Sequence, residues 1–173
     1  MPEMIDTVVT FLEMRQRPSP HRFGTPQGRL AILKAERMPV HFYRYLYDII
    51  GRDYNWVIRK RMDDAALGAY LAEPGIELFT LILDGCPMGF AELDLRAMPI
   101  GHIAYFGLMP EAIGRGLGRW FFAEILQIVW DRGPALVRIN TCTLDHPRAL
   151  PLYQRMGFSP YAQEVQSLER LKD

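Results

Sequence analysis

Gly114, Gly116 and Gly118 stand at every second position of the stretch LMPEAIGRGLGRWFFAEIL, Leu108 to Leu126, and lead directly into a long apolar segment of helical period. Glycines so placed strip side chains from the backbone where a helix presents its unpaired N–H groups, and such a cradle tends to hold an anion. A Walker-type loop needs Lys-Ser/Thr after its last glycine, but here Arg119-Trp120 follows Gly118. A dinucleotide fingerprint needs one more glycine three places on, and an acidic residue closing the next strand. Arg119-Trp120-Phe121 follow instead, and Asp145 lies too far along the chain. Upstream, His102 and Leu108 fall six residues apart on one strand, and so on one face if that strand is regular. Glu92 and Asp94 share a face of the preceding strand, and two carboxylates there are costly to bury without a purpose or a partner.

The elements that must position these groups follow from pattern and punctuation. Thr7 to Met14 is β-branched and reads as a strand, and RPSPHRFGTPQG is an irregular loop, so residues 1–28 form an N-terminal strand and loop. RLAILKAERM is a second strand. From Val40 a helical period gives one face of Phe42, Tyr45, Leu46 and Ile49 and another of Tyr43, Tyr47, Ile50 and Tyr54. DDAALGAYLAEPG is a short acid-capped helix, and two strands meet at a hairpin turn around Asp84-Gly85. IGHIAYFGLMP is the strand before the glycine loop, and the long helix after it ends at Gly133-Pro134. ALVRINTCTL is a strand, HPRALPLYQRMG a short helix stopped by Gly157, and FSPYAQEVQSL a last strand. The order β-β-α-α-β-β-β-α-β-α-β describes one mixed α/β domain over residues 1–173. Its central strands are antiparallel, its later ones pair in parallel through a crossover helix, and helices cover both faces.

Apolar residues make up 49% and charged residues 23% of the 173, an ordinary globular composition. The formal net charge of zero gives no field to gather nucleic acid or anionic lipid, so neither is expected as a partner. The run Arg59-Lys60-Arg61, offset by Asp63-Asp64, reads as a solvated surface patch. Cys86 and Cys142 have no metal-ligand spacing and are too few for a disulfide framework, which points to a cytoplasmic protein without a metal. The N-terminus has no basic leader pattern, and no apolar run is long enough to cross a membrane.

The loop IGRGLG, set between a strand end and a helix, resembles the Gln/Arg-x-x-Gly-x-Gly/Ala motif of the GNAT superfamily of acyl-CoA-dependent N-acyltransferases. HPRALPLYQRMGF, His146 to Phe158, resembles that family's Asn-x-x-Ala-x-x-Leu-Tyr-x-x-x-Gly-Phe signature, with Ala149, Leu152, Tyr153, Gly157 and Phe158 in place. Two departures stand out: Ile113 occupies the Gln/Arg position and His146 the Asn position, while Pro151 threatens to kink or delay the helix. The resemblance covers roughly the last 90 residues. It implies a GNAT fold and acetyl-CoA as co-substrate, with the coenzyme A pyrophosphate held by Ile113, Gly114, Arg115, Gly116, Leu117, Gly118 and Arg119, and with His146 nearby.

The reaction implied is transfer of an acetyl group to a primary amine by direct attack in a ternary complex. It needs a base, an oxyanion donor and an acid. The resemblance places Tyr153 beside the sulfur, as the acid for the departing thiolate. The oxyanion donor is expected from backbone N–H at Leu108 or Met109, with Gly107 marking a bulge. His102 and Glu92 are the two candidates for the base. Tyr43 and Tyr47, with Tyr54, Trp56 and Asp94, are expected to line the acceptor pocket, which favours an aromatic or cationic small molecule. Other acyl donors, a protein N-terminus as acceptor, and a non-catalytic acyl-CoA sensor remain open in the sequence. The aromatic content is compatible with a homodimer.

Overall fold

The structure, a computed structural model, describes residues 3–20 and 23–171. Its elements run β1 (Met4–Met14), β2 (Leu30–Lys34), α1 (Val40–Gly51), α2 (Asp64–Leu71), β3 (Ile76–Leu83), β4 (Cys86–Asp94), β5 (Ile100–Leu108), α3 (Leu117–Asp131), β6 (Leu136–Cys142), α4 (Ala149–Arg155) and β7 (Ser159–Glu169). Short 3-10 turns occupy Arg52–Tyr54, Arg59–Arg61 and Pro110–Ala112. The expected order of elements and the mixed α/β class are both found. Asp63 caps α2 by accepting from the Ala66 N–H at 2.7 Å. Asp84 and Gly85, both at positive φ, make the β3–β4 turn.

All seven strands form one sheet, in the order β2-β3-β4-β5-β6-β1-β7. Only β5 and β6 are parallel, joined by the α3 crossover. The N-terminal strand is not an appendage: β1 lies between β6 and β7 and is antiparallel to both. On one face α3 and α4 close a core around Phe121, Phe122, Leu126 and Ile139. On the other, α1 and α2 close a second core around Tyr43, Leu46, Tyr47, Leu67 and Phe90. The buried stripe of α1 is therefore Tyr43-Leu46-Tyr47-Ile50, drawn from both expected faces, while Tyr45 is exposed and Tyr54 lies beyond the helix. Helix α4 begins at Ala149, later than HPRALPLYQRMG implied. Pro151 sits in its first turn, where the missing N–H would have had no partner within the helix. Gly157 follows it at φ +108°, the left-handed stop expected there.

Two features of β5 decide the site. Glu92 pairs with Tyr105 and Leu93 with Ile103, so Ala104 is an extra residue in the ladder, a β-bulge. The bulge flips the alternation. His102, Tyr105 and Gly107 fall on the α1 side, and Ile103, Phe106 and Leu108 on the α3 side. The expectation that His102 and Leu108 share a face is thereby corrected, as is the placing of the bulge at Gly107. Gly107 is required for a different reason: a Cβ there would meet Ile50 Cγ2 at 2.3 Å. The second feature is a gap. The β5–β6 ladder runs only from Ile100 to Ile103 against Leu136 to Ile139, after which the two strands part.

Candidate active site

A cavity of about 730 Å³ fills that gap and extends along the glycine loop to α4. Gly116, at φ +75°, caps α3, and no side chain caps the helix in its place. Added Cβ atoms at Gly114 or Gly116 would meet nothing within 4 Å, so both glycines border open space. The first turn of α3 carries no acidic residue to take up its free N–H groups. Arg119, Arg148 and Arg155 line the same cavity. The helix N–H groups, their dipole and the three arginines that line the cavity make a donor set that fits the phosphates of coenzyme A.

Of the residues expected to bind the cofactor, Leu108, Ile113, Gly114, Gly116, Gly118, Arg119 and His146 line the cavity. Arg115 is not among the lining residues. The Leu117 and Met109 side chains are buried, in the α3-side and α1-side cores respectively. The Met109 N–H donates to the Met88 carbonyl at 2.9 Å and is not free for an oxyanion. By strand alternation the Leu108 N–H points the other way, toward the gap. Sequence reasoning missed Phe23, Asp145, Arg148 and Arg155 as lining residues. The two arginines did carry a signal, since they stand seven residues apart, two turns along one helix face.

Tyr153 lines the cavity with its ring packed against Phe122, centroids 4.9 Å apart, and near Phe158. Burial, with the charge of Asp145 as a lesser cause, pushes its hydroxyl well above the ordinary tyrosine range, so it is protonated at neutral pH.

Glu92 is fully buried and saturated. Its carboxylate accepts from the Tyr43 hydroxyl at 2.5 Å, the Tyr70 hydroxyl at 2.5 Å and Arg59 Nη2 at 2.8 Å. The basic run is therefore not merely a surface patch. Arg59 turns inward onto Glu92 and over the Tyr70 ring, while Lys60 pairs with Asp48 and Arg61 with Glu169. The Tyr47 hydroxyl donates to the Tyr105 hydroxyl at 3.1 Å and accepts from the Arg59 N–H at 3.3 Å. Tyr43 and Tyr47 line a separate cavity of about 290 Å³ beside Arg44 and Lys60 and not the large one. Asp94 lines neither cavity; Arg96 holds its carboxylate at 2.8 Å and keeps it below the usual carboxylate range. Tyr43→Phe should lower unfolding stability by about 2 kcal/mol, the worth of a hydrogen bond to a buried charge. Urea denaturation checks this, with an unchanged m-value expected.

His102 sits opposite Asp94 at the closed end of the β5–β6 pair and does not line the large cavity. Burial lowers its pKa below the ordinary imidazole value, and the Arg138 and Arg59 charges assist, against the opposing pull of Asp94 and Glu92. The folded chain thus resists a proton that the unfolded chain accepts. Its contribution to stability is full above about pH 6.5 and is lost as pH falls below that value. In paired melts, His102→Gln should lose less Tm than the parent between pH 7 and pH 5.5.

The sequence profile described as the acetyltransferase (GNAT) family matches residues 43–158. The chain is 36% identical over 102 residues to a mycothiol acetyltransferase of Thermomonospora curvata, an alignment covering 57% of this chain and 34% of that protein. It thus matches about a third of the length of that curated relative. Among solved structures, a GCN5-related N-acetyltransferase from Sphaerobacter thermophilus superposes at TM-score 0.64 and 18% identity, over 98% of this chain and 52% of that one. One from Kribbella flavida superposes at TM-score 0.62 and 16% identity, over 98% and 61%. Those two similarities speak to the fold. The profile match spans both the glycine loop and the tyrosine helix, and with it the chain belongs to the acetyltransferase (GNAT) family.

Proposed function

We propose that this chain transfers an acetyl group from acetyl-CoA to a primary amine of a small molecule, by direct attack in a ternary complex. The observation that carries this reading is the continuity of one cavity from the glycine cradle, through the gap between β5 and β6, to Tyr153. The name of the curated relative supports acetyl transfer over the shared segment. When bound, acetyl-CoA supplies a thioester carbonyl and a thiolate leaving group. The helix α3 N–H groups with Arg119, Arg148 and Arg155 hold its phosphates, and the Leu108 N–H receives the developing oxyanion. Tyr153 gives its proton to the departing sulfur. Neither Glu92 nor His102 lines this cavity, so proton removal by either would run through intervening water. A cytoplasmic setting belongs to the same proposal and rests on the two unpaired cysteines, while the expectation of neither nucleic acid nor membrane as partner rests on the zero net charge.

Calorimetric titration with acetyl-CoA, followed by a thiol-release screen of amines, tests it. Micromolar binding and release of free coenzyme A in the presence of an amine are expected. Binding without release under any amine would make the domain an acyl-CoA sensor, and no binding would remove the acyltransferase reading altogether.

A further inference from the structure

We propose that Asp145 receives the acceptor's ammonium group, which makes the acceptor a primary amine that is cationic when it binds. The proposal takes its sense from the acetyltransferase reading and deepens it. Charge around the large cavity is divided: among the described residues Arg119, Arg148 and Arg155 line it as cations, and Asp145 is the one carboxylate that does. A donor bristling with phosphates gains nothing from that carboxylate. A group of opposite charge does.

The carboxylate is held ready. Asp145 lies in the loop between β6 and α4, where Oδ2 accepts from Thr141 Oγ1 at 2.7 Å and from the Cys142 N–H at 2.9 Å. These bonds fix the side chain and leave Oδ1 with one partner, Trp56 Nε1, at 3.5 Å. That distance is near the limit of a hydrogen bond and marks a weak contact. An ammonium entering beside Trp56 exchanges this weak neutral donor for a charge-assisted one.

The surroundings suit the organic part of such a cation. Trp56 packs against Tyr105 and Tyr47, with centroids 4.8 and 5.3 Å away, and Tyr54 stands edge-on to His146 across the loop. Of these rings Tyr54 lines the cavity, and an aromatic surface near a carboxylate favours a cation on an apolar body. Trp56 also reaches over Gly107, where a Cβ would come within 3.3 Å of the indole, so the Trp56–Asp145 contact roofs the gap on the α1 side. Burial is the main cause that raises the hydroxyl pKa of Tyr153, Tyr54 and Tyr105, and the charge of Asp145 adds a lesser push to each, so the carboxylate lies near all three.

The test compares benzylamine with its neutral isostere benzyl alcohol, titrated at pH 7.5 into the protein saturated with coenzyme A. Benzylamine should bind about tenfold tighter or more, as a hydrogen bond to a charged group is worth. Asp145→Asn keeps an oxygen for Thr141 and Cys142 but removes the charge. It should erase the margin while changing coenzyme A affinity less than about threefold and leaving Tm near the parent value. Trp56→Phe frees Oδ1 and should tighten benzylamine relative to benzyl alcohol. Equal binding of the two probes, no binding of benzylamine, or a margin that survives in Asp145→Asn would overturn the assignment. Coenzyme A binding is measured first and read separately. If it fails, the acetyltransferase reading falls, and the same margin measured on the free protein still decides the role of Asp145.

Discussion

Replacing Gly116 by valine will raise the acetyl-CoA dissociation constant by about a hundredfold or more, the loss of about two hydrogen bonds to a charged phosphate. The backbone at Gly116 is left-handed, φ +75°, and the residue caps α3 directly under the cavity. No heavy atom lies within 4 Å of the Cβ position, so the new side chain does not collide with the core. It stands instead where the phosphates would approach the helix N–H groups. A non-glycine residue in this conformation also costs about 1–2 kcal/mol of stability, and a β-branched one is a poor fit there. That second effect needs its own control. Gly133 has φ +74° and equally open space around its Cβ, but it lies beyond the other end of α3 and does not line the cavity. Gly133→Val should therefore show the same loss of Tm with undiminished acetyl-CoA binding. If the two variants bind acetyl-CoA alike, the cradle is not where the donor sits.

The contrast between these glycines shows what kind of information the sequence carries. A local signal such as Gly-x-Gly before an apolar helix fixes a backbone conformation, and α3 begins where that signal predicts. Caps, hairpin turns and helix stops are local in the same way, and Asp63, Asp84-Gly85 and Gly157 were all legible. Strand partnership is not local. Nothing in Thr7 to Met14 indicates that the first strand inserts between the last two, because its β-branched pattern would suit an edge or a centre alike. A single added residue at Ala104 was equally invisible, yet it moved His102 to the face opposite Leu108. Arg59 was misread for a related reason: a charge run looks solvated until a buried carboxylate 33 positions away claims one member of it. The carboxylate itself did announce a need for a partner. Tyr43 and Tyr47 were legible as helix-face aromatics, and their hydroxyls are engaged in that network.

Tyr153→Phe should lower kcat by about a hundredfold or more, within the range of a lost general acid, and change the acetyl-CoA dissociation constant by less than about threefold. The argument turns on which part of the residue does what. The ring is packed against Phe122 and Phe158 in the α3-side core, and phenylalanine preserves those contacts at nearly the same volume. Only the hydroxyl is lost, from a residue that lines the cavity. The hydroxyl is protonated through the neutral range and burial holds its pKa above the ordinary value, so it is present as a donor to the departing sulfur and is not a base at these pH values. The raised pKa also places any alkaline loss of its proton above the ordinary tyrosine value of about 10. The parent's kcat should then hold steady from pH 7 to pH 9 as far as this residue is concerned. A variant that turns over within about threefold of the parent would reduce Tyr153 to a core aromatic, and the proton for the sulfur would have to come from water entering along the arginine-lined end of the cleft.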